Sequence, residues 1–290
     1  MSPAPGKPSG PDDAPFTVLR LLLCRSDAKP ELAIARCVGL SGARLCIIDP
    51  IVRCKGCRWC RRGLGEHCDE REILSPQRLL ASDVRIPQSC LIEAPEAVPL
   101  DLAVHARAAG AAAHLADRLV RESATYITLL ADDPASDLDG LVALRLLARR
   151  LPQLRCLTAS PRVIELCTRW GVKHRPLAEV GLRRDQDVVI DARSTGPDND
   201  SIGLVRPRGK LAILGRRDAI AIPAQDVADA EIELACVWTG DPARGLRDLL
   251  ASDAGDDLDA MITKRSPVGA ADDPLREAVS AGVLMLEADG

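Results

Sequence analysis

The chain has 290 residues, room for one large domain or two ordinary ones, and 47% of them are hydrophobic, which excludes disorder as the main state. Lys and Arg total 38 against 42 Asp and Glu, a net charge of −4, so a general nucleic-acid binder, normally basic, is not expected. Three Trp, one Tyr and one Phe are too few to stack sugars or bases over a wide surface, and no stretch approaches the roughly 18 apolar residues that a bilayer span needs.

Residues 1–15 are rich in Pro and Gly and read as a loose tail. The apolar run 18–24 is broken by Arg20 and follows Asp12 and Asp13 instead of a basic segment, so it does not read as a secretory signal. A chain that is not exported sits in a reducing cytoplasm, where its 11 cysteines need a reason other than disulfides. Short apolar runs at 18–23, 32–37 and 45–52 predict a compact β-rich module. From about residue 103 the character changes. The Ala-rich stretch 103–120 predicts a helix, then 126–130 a strand, 138–150 a helix, 154–158 a strand and 161–170 a helix that Gly171 ends. The runs 187–191, 210–214 and 232–237 are three more strands, with 206–209 a turn before the second of them. Continuous apolar strands alternating with helices predict an α/β domain around a parallel sheet covered on both faces. The acidic stretch 253–259 reads as a solvated loop.

Cys54, Cys57, Cys60 and Cys68 fall within fifteen residues. Two-residue spacings let a tight turn aim successive sulfurs at one point, and the seven-residue loop brings the fourth sulfur back. Zinc takes four thiolates in a tetrahedron at about 2.3 Å, and a full set leaves no open position, so this is a structural site with one zinc per chain. Arg53, Lys55, Arg58, Arg61 and Arg62 offset the excess negative charge, and His67 reads as a surface residue. A nucleic-acid-binding zinc ribbon separates two Cys pairs by about 15–20 residues, which these four do not. Cys37, Cys46, Cys90, Cys156, Cys167 and Cys236 lie mainly in apolar runs and are expected to pack as small core residues.

The Cys-x₂-Cys-x₂-Cys-x₇-Cys lobe followed by a β-α-β domain resembles the zinc-containing medium-chain alcohol dehydrogenases, from about Phe16 to the C-terminus. Residues 61–68, 187–192, 204–209, 262–263 and 282–286 carry the rest of the likeness, in the right order. The resemblance implies a GroES-like module over 16–112 with its zinc lobe at 53–69. It further implies a Rossmann-type domain over 113–261 and a return to the first domain over 262–290. It also implies NAD(P), a catalytic zinc in the cleft, and dimers that pair nucleotide domains edge to edge near 232–237.

Catalytic zinc needs three protein ligands and an open position. Cys24 and Ser26 match the family's first ligand and its proton-relay hydroxyl. Pro30 stands where the His ligand belongs, and Arg107 stands at the third ligand's position. His105 and His114 lie nearby, but no spacing ties them into a site. A dinucleotide loop needs glycines after the first strand, so that backbone N–H groups approach the pyrophosphate. Here Ala131 leads into Asp132, Asp133, Pro134, Asp137 and Asp139, with only Gly140 left, and four carboxylates would face the phosphates. Thr158 stands where an acid would take the ribose, and Ala192 follows the fourth strand. Ala131, Thr158 and Ala192 are thus the positions a cofactor would touch, and NAD(P) binding is doubtful. The residues favour a zinc-stabilised, non-catalytic relative with a binding role. The alternatives are an NAD(P)-dependent oxidoreductase acting on a small alcohol or carbonyl compound and, last, a zinc-lobe nucleic-acid binder. The substrate is not legible.

Overall fold

The computed structural model describes residues 13–24, 30–39, 42–75, 78–79, 85–95, 98–120, 124–132, 138–215, 220–252, 254–262, 264–267 and 283–287; for those within 13–44, and for 85–86, 120, 255–256 and 283–287, it describes the backbone alone. The first sheet is built from β1 (Asp13–Cys24), β2 (Pro30–Gly39), β3 (Gly42–Ile48), β6 (Arg85–Pro87), β7 (Leu91–Glu93), β14 (Lys264–Pro267) and β15 (Val283–Glu287). Their order is β14-β15-β1-β2-β3-β7, with β6 pairing β1. Strand β1 starts earlier than the sequence suggests. Asp13, Ala14 and Pro15 are not tail but pair antiparallel with Pro87, Ile86 and Arg85, because a neighbouring strand offers them a ladder. Two short strands, β4 (Ile51–Val52) and β5 (Glu72–Ile73), pair antiparallel and close the base of the cysteine lobe.

The second sheet contains β8 (Ile127–Leu130), β9 (Arg155–Leu157), β10 (Lys173–Arg175), β11 (Gln186–Asp191), β12 (Val205–Leu214) and β13 (Glu233–Val237). All five pairings are parallel and the order is β10-β9-β8-β11-β12-β13. The strand order reverses between β8 and β11, which makes their carboxyl ends the switch point of a doubly wound sheet. Ser160 caps the helix Pro161–Arg169 by accepting from Val163 N, and Gly171 follows that helix with φ +68. The predicted turn 206–209 lies inside β12. Register jumps from Gln186↔Val205 to Val188↔Lys210, and Arg208 takes φ +60, so the turn survives as an insertion that the ladder steps around.

One face of this sheet carries the larger core. There Ile127, Leu129, Val188 and Ile190 meet Leu141, Leu144 and Leu147 of the helix Leu138–Arg150 and Leu115 and Leu119 of the helix Ala106–Val120. The Ala-rich stretch is broken rather than continuous: a short helix Leu100–Ala103 and a turn at Val104–His105 precede Ala106–Val120. The expected domain boundary at 112 therefore falls inside a helix that packs on the second sheet. The acidic stretch near 253–259 is not a loop. Gly255–Asp259 is helical, because Ala254, Leu258 and Met261 are fully buried and anchor it to the core.

The helices Ala106–Val120 and Pro242–Leu250 meet backbone to backbone. A Cβ on Gly245 would lie 1.9 Å from Ala106 O, one on Gly110 2.4 Å from Asp241 O, and one on Gly240 2.0 Å from Gly110 C. No side chain fits at these three positions. Gly245→Ala is expected to destabilise the fold by at least about 2 kcal/mol, since backbone cannot yield as a flexible side chain does. Urea unfolding that matches the parent protein would contradict this packing.

Candidate functional site

The four cysteines of the lobe converge. The Sγ atoms of Cys54, Cys57, Cys60 and Cys68 all lie within 4.8 Å of one another, and no other set of three or more His, Cys, Asp or Glu does so among the described residues. The local chain explains the convergence. Lys55 adopts φ +57, which turns the backbone between the first two sulfurs. Cys57 caps the one-turn helix Arg58–Arg61, and its sulfur accepts from Cys60 N at 3.5 Å. Cys57 N points at Cys54 Sγ at 3.2 Å, and Cys54 N at Cys68 Sγ at 3.4 Å. Trp59 Nε1 donates to Asp69 Oδ1 at 3.1 Å, which ties the returning strand to the helix.

Thiolate donors, tetrahedral closeness and backbone N–H groups aimed at sulfur fit zinc, which would be held by Cys54, Cys57, Cys60 and Cys68 with no coordination position left for substrate. Such a zinc supplies folding energy, not chemistry. The N–H of Cys60, with other backbone donors, lowers the Cys57 thiol to about 6, while burial raises Cys60 to about 12. Arg53 is partly spoken for: its Nη2 pairs with the buried Asp49 Oδ2 at 2.7 Å. His67 is half exposed and sits between Trp59 and Trp238, 6.2 and 6.4 Å from their ring centroids. Arg71 lies 5.7 Å over the Trp238 ring, so the lobe rests on the end of β13.

The cleft positions read differently. Cys24 ends β1 opposite Val283, but its side chain, Pro30's side chain and Ser26 lie outside the described residues. Arg107 is largely buried and places Nη2 3.9 Å from Asp139 Oδ2, in the first turn of the helix Leu138–Arg150. His105 is buried with neither ring nitrogen hydrogen-bonded, whereas His114 is exposed and directs Nδ1 to Thr239 O at 3.4 Å. The two histidines serve separate surroundings.

At the switch point, residues 133–137 of the acidic turn lie outside the described residues. Their neighbours do not. Ala131 and Ala192 are buried, and their N–H groups donate to Leu157 O and Leu130 O. Thr158 is buried, and its hydroxyl oxygen accepts from Ser160 N at 3.1 Å. Asp132, just beyond β8, accepts at Oδ2 from both the backbone N–H (2.9 Å) and the hydroxyl (3.0 Å) of Ser194, just beyond β11. Sequence reasoning found Asp132 but missed Ser194 and the network beside it. Arg193 forks onto the fully buried Asp191 (2.7 Å) and onto Asp198 (2.9 Å), and also donates to Ser201 Oγ (2.7 Å). Cys46, Cys90, Cys156 and Cys167 are buried as expected. Cys37's side chain lies outside the described residues. Cys236 departs from expectation: it is exposed, because it faces outward on the edge strand β13.

Two pH dependences follow. Zinc must displace the proton that Cys60 retains, so metal affinity should weaken as pH falls from about 8 to about 6, and a chelator should lower the unfolding temperature. A pH-independent affinity in a competition titration would count against the tetrathiolate. Burial lowers His105 from 6.5 to about 4, with the Asp101 charge opposing. The unfolded ring takes its proton below 6.5 and the folded ring only below about 4. Stability is therefore full above 6.5 and falls as pH drops toward 4, by on the order of 3 kcal/mol. Urea unfolding of His105→Leu should show a shallower acid-side loss than the parent.

No family model and no curated protein sequence matches the chain. Solved structures do. L-idonate 5-dehydrogenase from Escherichia coli K-12 superposes with a TM-score of 0.75 at 17% identity, covering 95% of this chain and 91% of that one. A zinc-binding dehydrogenase from Sinorhizobium meliloti, solved bound to NADP, gives 0.76 at 16% over 97% and 93%. Alcohol dehydrogenase from Thermus sp. ATN1 gives 0.76 at 15% over 100% and 96%. Among the described residues no helix is long and apolar enough to cross a membrane. At these identities the likeness speaks for architecture: the chain has the fold of the zinc-containing medium-chain dehydrogenases, a GroES-like module joined to a Rossmann-type domain, in a strongly divergent sequence.

Proposed function

We propose that this protein is a non-catalytic, zinc-stabilised relative of the medium-chain dehydrogenases that works by binding rather than by moving hydride. The observation that carries the reading is the Asp132–Ser194 bridge. It joins the ends of β8 and β11 across the switch point, where a dinucleotide would need open N–H donors and no opposing carboxylate. Arg107 supports it, because a guanidinium paired to Asp139 occupies the position of a metal ligand. The hydroxyl of Thr158 is already engaged by the helix cap, and the side chains of Ala131 and Ala192 offer a cofactor nothing polar. The residues do not fit NAD(P).

The competing reading is an NAD(P)-dependent oxidoreductase acting on a small alcohol or carbonyl compound. It has the fold behind it, and one neighbour was solved with NADP and another with NADH. The free thiols agree with placement in the cytoplasm. Self-association would use β13, an edge strand on which Leu234 is 42% exposed.

Titration of the purified chain with NADH and with NADPH, alongside metal analysis, separates the readings. We expect one zinc per chain, no saturable cofactor binding up to about 100 µM, and a two-chain mass by sedimentation. Micromolar binding of either cofactor, or a second zinc, would overturn the non-catalytic reading.

A further inference from the structure

Strands β10 and β11 are three positions apart in the sheet, a span of roughly 14 Å at the usual strand spacing of about 4.8 Å. The link that crosses between them, residues 176–185, contains only the 3₁₀ turn Leu177–Glu179. A doubly wound sheet normally covers such a crossing with a helix. Here the link packs Leu177 and Val180 against Leu130 and Leu157, and a cavity of about 330 Å³, within the range of small-molecule sites, remains beside it over β9 and β10. The cavity runs along all of β9 and β10 and reaches Thr128 and Gln186, and its lining includes neither Asp132, Thr158 nor Ser194. It is thus distinct from the crevice beyond Asp132.

We infer that this cavity binds a small, multiply charged oxyanion of the phosphate type. Its walls carry Arg155, Lys173, Arg175 and Arg183 against Glu179 and Asp185. None of the four cations has an ion-pair or side-chain hydrogen-bond partner among the described residues, whereas Arg206 and Arg208 of β12, and Arg193 just beyond β11, are all paired. Asp185 is already in use, accepting from Gln186 Nε2 at 2.5 Å. Thr128, Arg155 and Lys173 form one lateral row across β8, β9 and β10, and Arg175 follows two residues on, on the same face. Like charges directly opposite each other on adjacent strands repel, so Arg155 beside Lys173 costs stability until an anion lies over them. Guanidinium forks match phosphate oxygens in pairs. The floor is polar and preformed: buried Thr128 donates its hydroxyl to buried Gln186 Oε1 at 2.6 Å. Leu157, Val180 and Leu204 supply an apolar wall. Phosphate alone would leave much of this volume empty, so a phosphorylated small molecule is the fitting class.

The inference holds whether or not the switch-point crevice takes a dinucleotide, because the two sites share no residue. It is tested by calorimetric titration of the full chain with inorganic pyrophosphate at about 0.15 M salt. We expect one saturable site with a dissociation constant below about 100 µM. Arg175→Gln with Arg183→Gln should weaken it at least tenfold, roughly 1.4 kcal/mol, without moving the ligand-free unfolding temperature. The charge-matched pair Arg149→Gln with Arg247→Gln should leave it unchanged. Lys173→Gln carries the same expectation of weakening should the first pair impair folding. Absence of saturable binding would overturn the proposal. So would equal weakening by both pairs, or binding of a single-stranded oligonucleotide where pyrophosphate does not bind.

Discussion

The carbonyl oxygen of Ala106 occupies the space that a β-carbon on residue 245 would need. That contact, with its companions at Gly110 and Gly240, fixes how the helix Ala106–Val120 lies on Pro242–Leu250. Backbone contact leaves no rotamer to adjust, so the two helices hold one relation. The consequences reach both sheets. Ala106–Val120 follows directly from the turn below the first sheet and packs into the core of the second. Pro242–Leu250 follows Trp238, on which the cysteine lobe rests through His67 and Arg71. The lobe, the helices and the end of β13 form one continuous block.

Around that block the chain keeps a dehydrogenase's architecture while polar side chains at the ends of β8 and β11 are satisfied by one another. Asp132 and Ser194 bond across the place where phosphate would enter, and Arg193 is held by Asp191, Asp198 and Ser201. Arg107 and Asp139 lie together between two helices. Each of these groups is answered from within the protein. Arg155, Lys173, Arg175 and Arg183, which have no such partner among the described residues, line the cavity beside the short 176–185 link. Fold alone does not say which site matters; the side chains do.

What could be read from the sequence was local. The cysteine spacing forecast a metal site because fifteen residues contain all of its geometry. Five strands of the second sheet could be read from their apolar runs, and Ser160-Pro161 with Gly171 marked its helix by capping chemistry, but β10, which is Lys173-His174-Arg175, carries no apolar signal and was missed. Long-range pairing could not. Ser194 lies 62 residues from Asp132, and nothing in either neighbourhood announces the other. The acidic stretch near 255 looked solvated because its charges outnumber its anchors, yet Leu258 and Met261 bury it. The cavity beside β9 and β10 was hidden as well, because a link without a helix matters only once the strand order is known.

The first sheet carries one further consequence. Strand β15, from the end of the chain, lies between β14 and β1 and pairs with β1 over five residues. During synthesis β1 is made long before β15. Until residues 283–287 leave the ribosome, one flank of β1 is an open ladder able to recruit another nascent copy. The cysteine lobe closes a short loop and needs no distant strand, so it can fold early. Assembly of this protein therefore has two stages: a metal knot tied early, and a seam sewn shut only once residues 283–287 have been made.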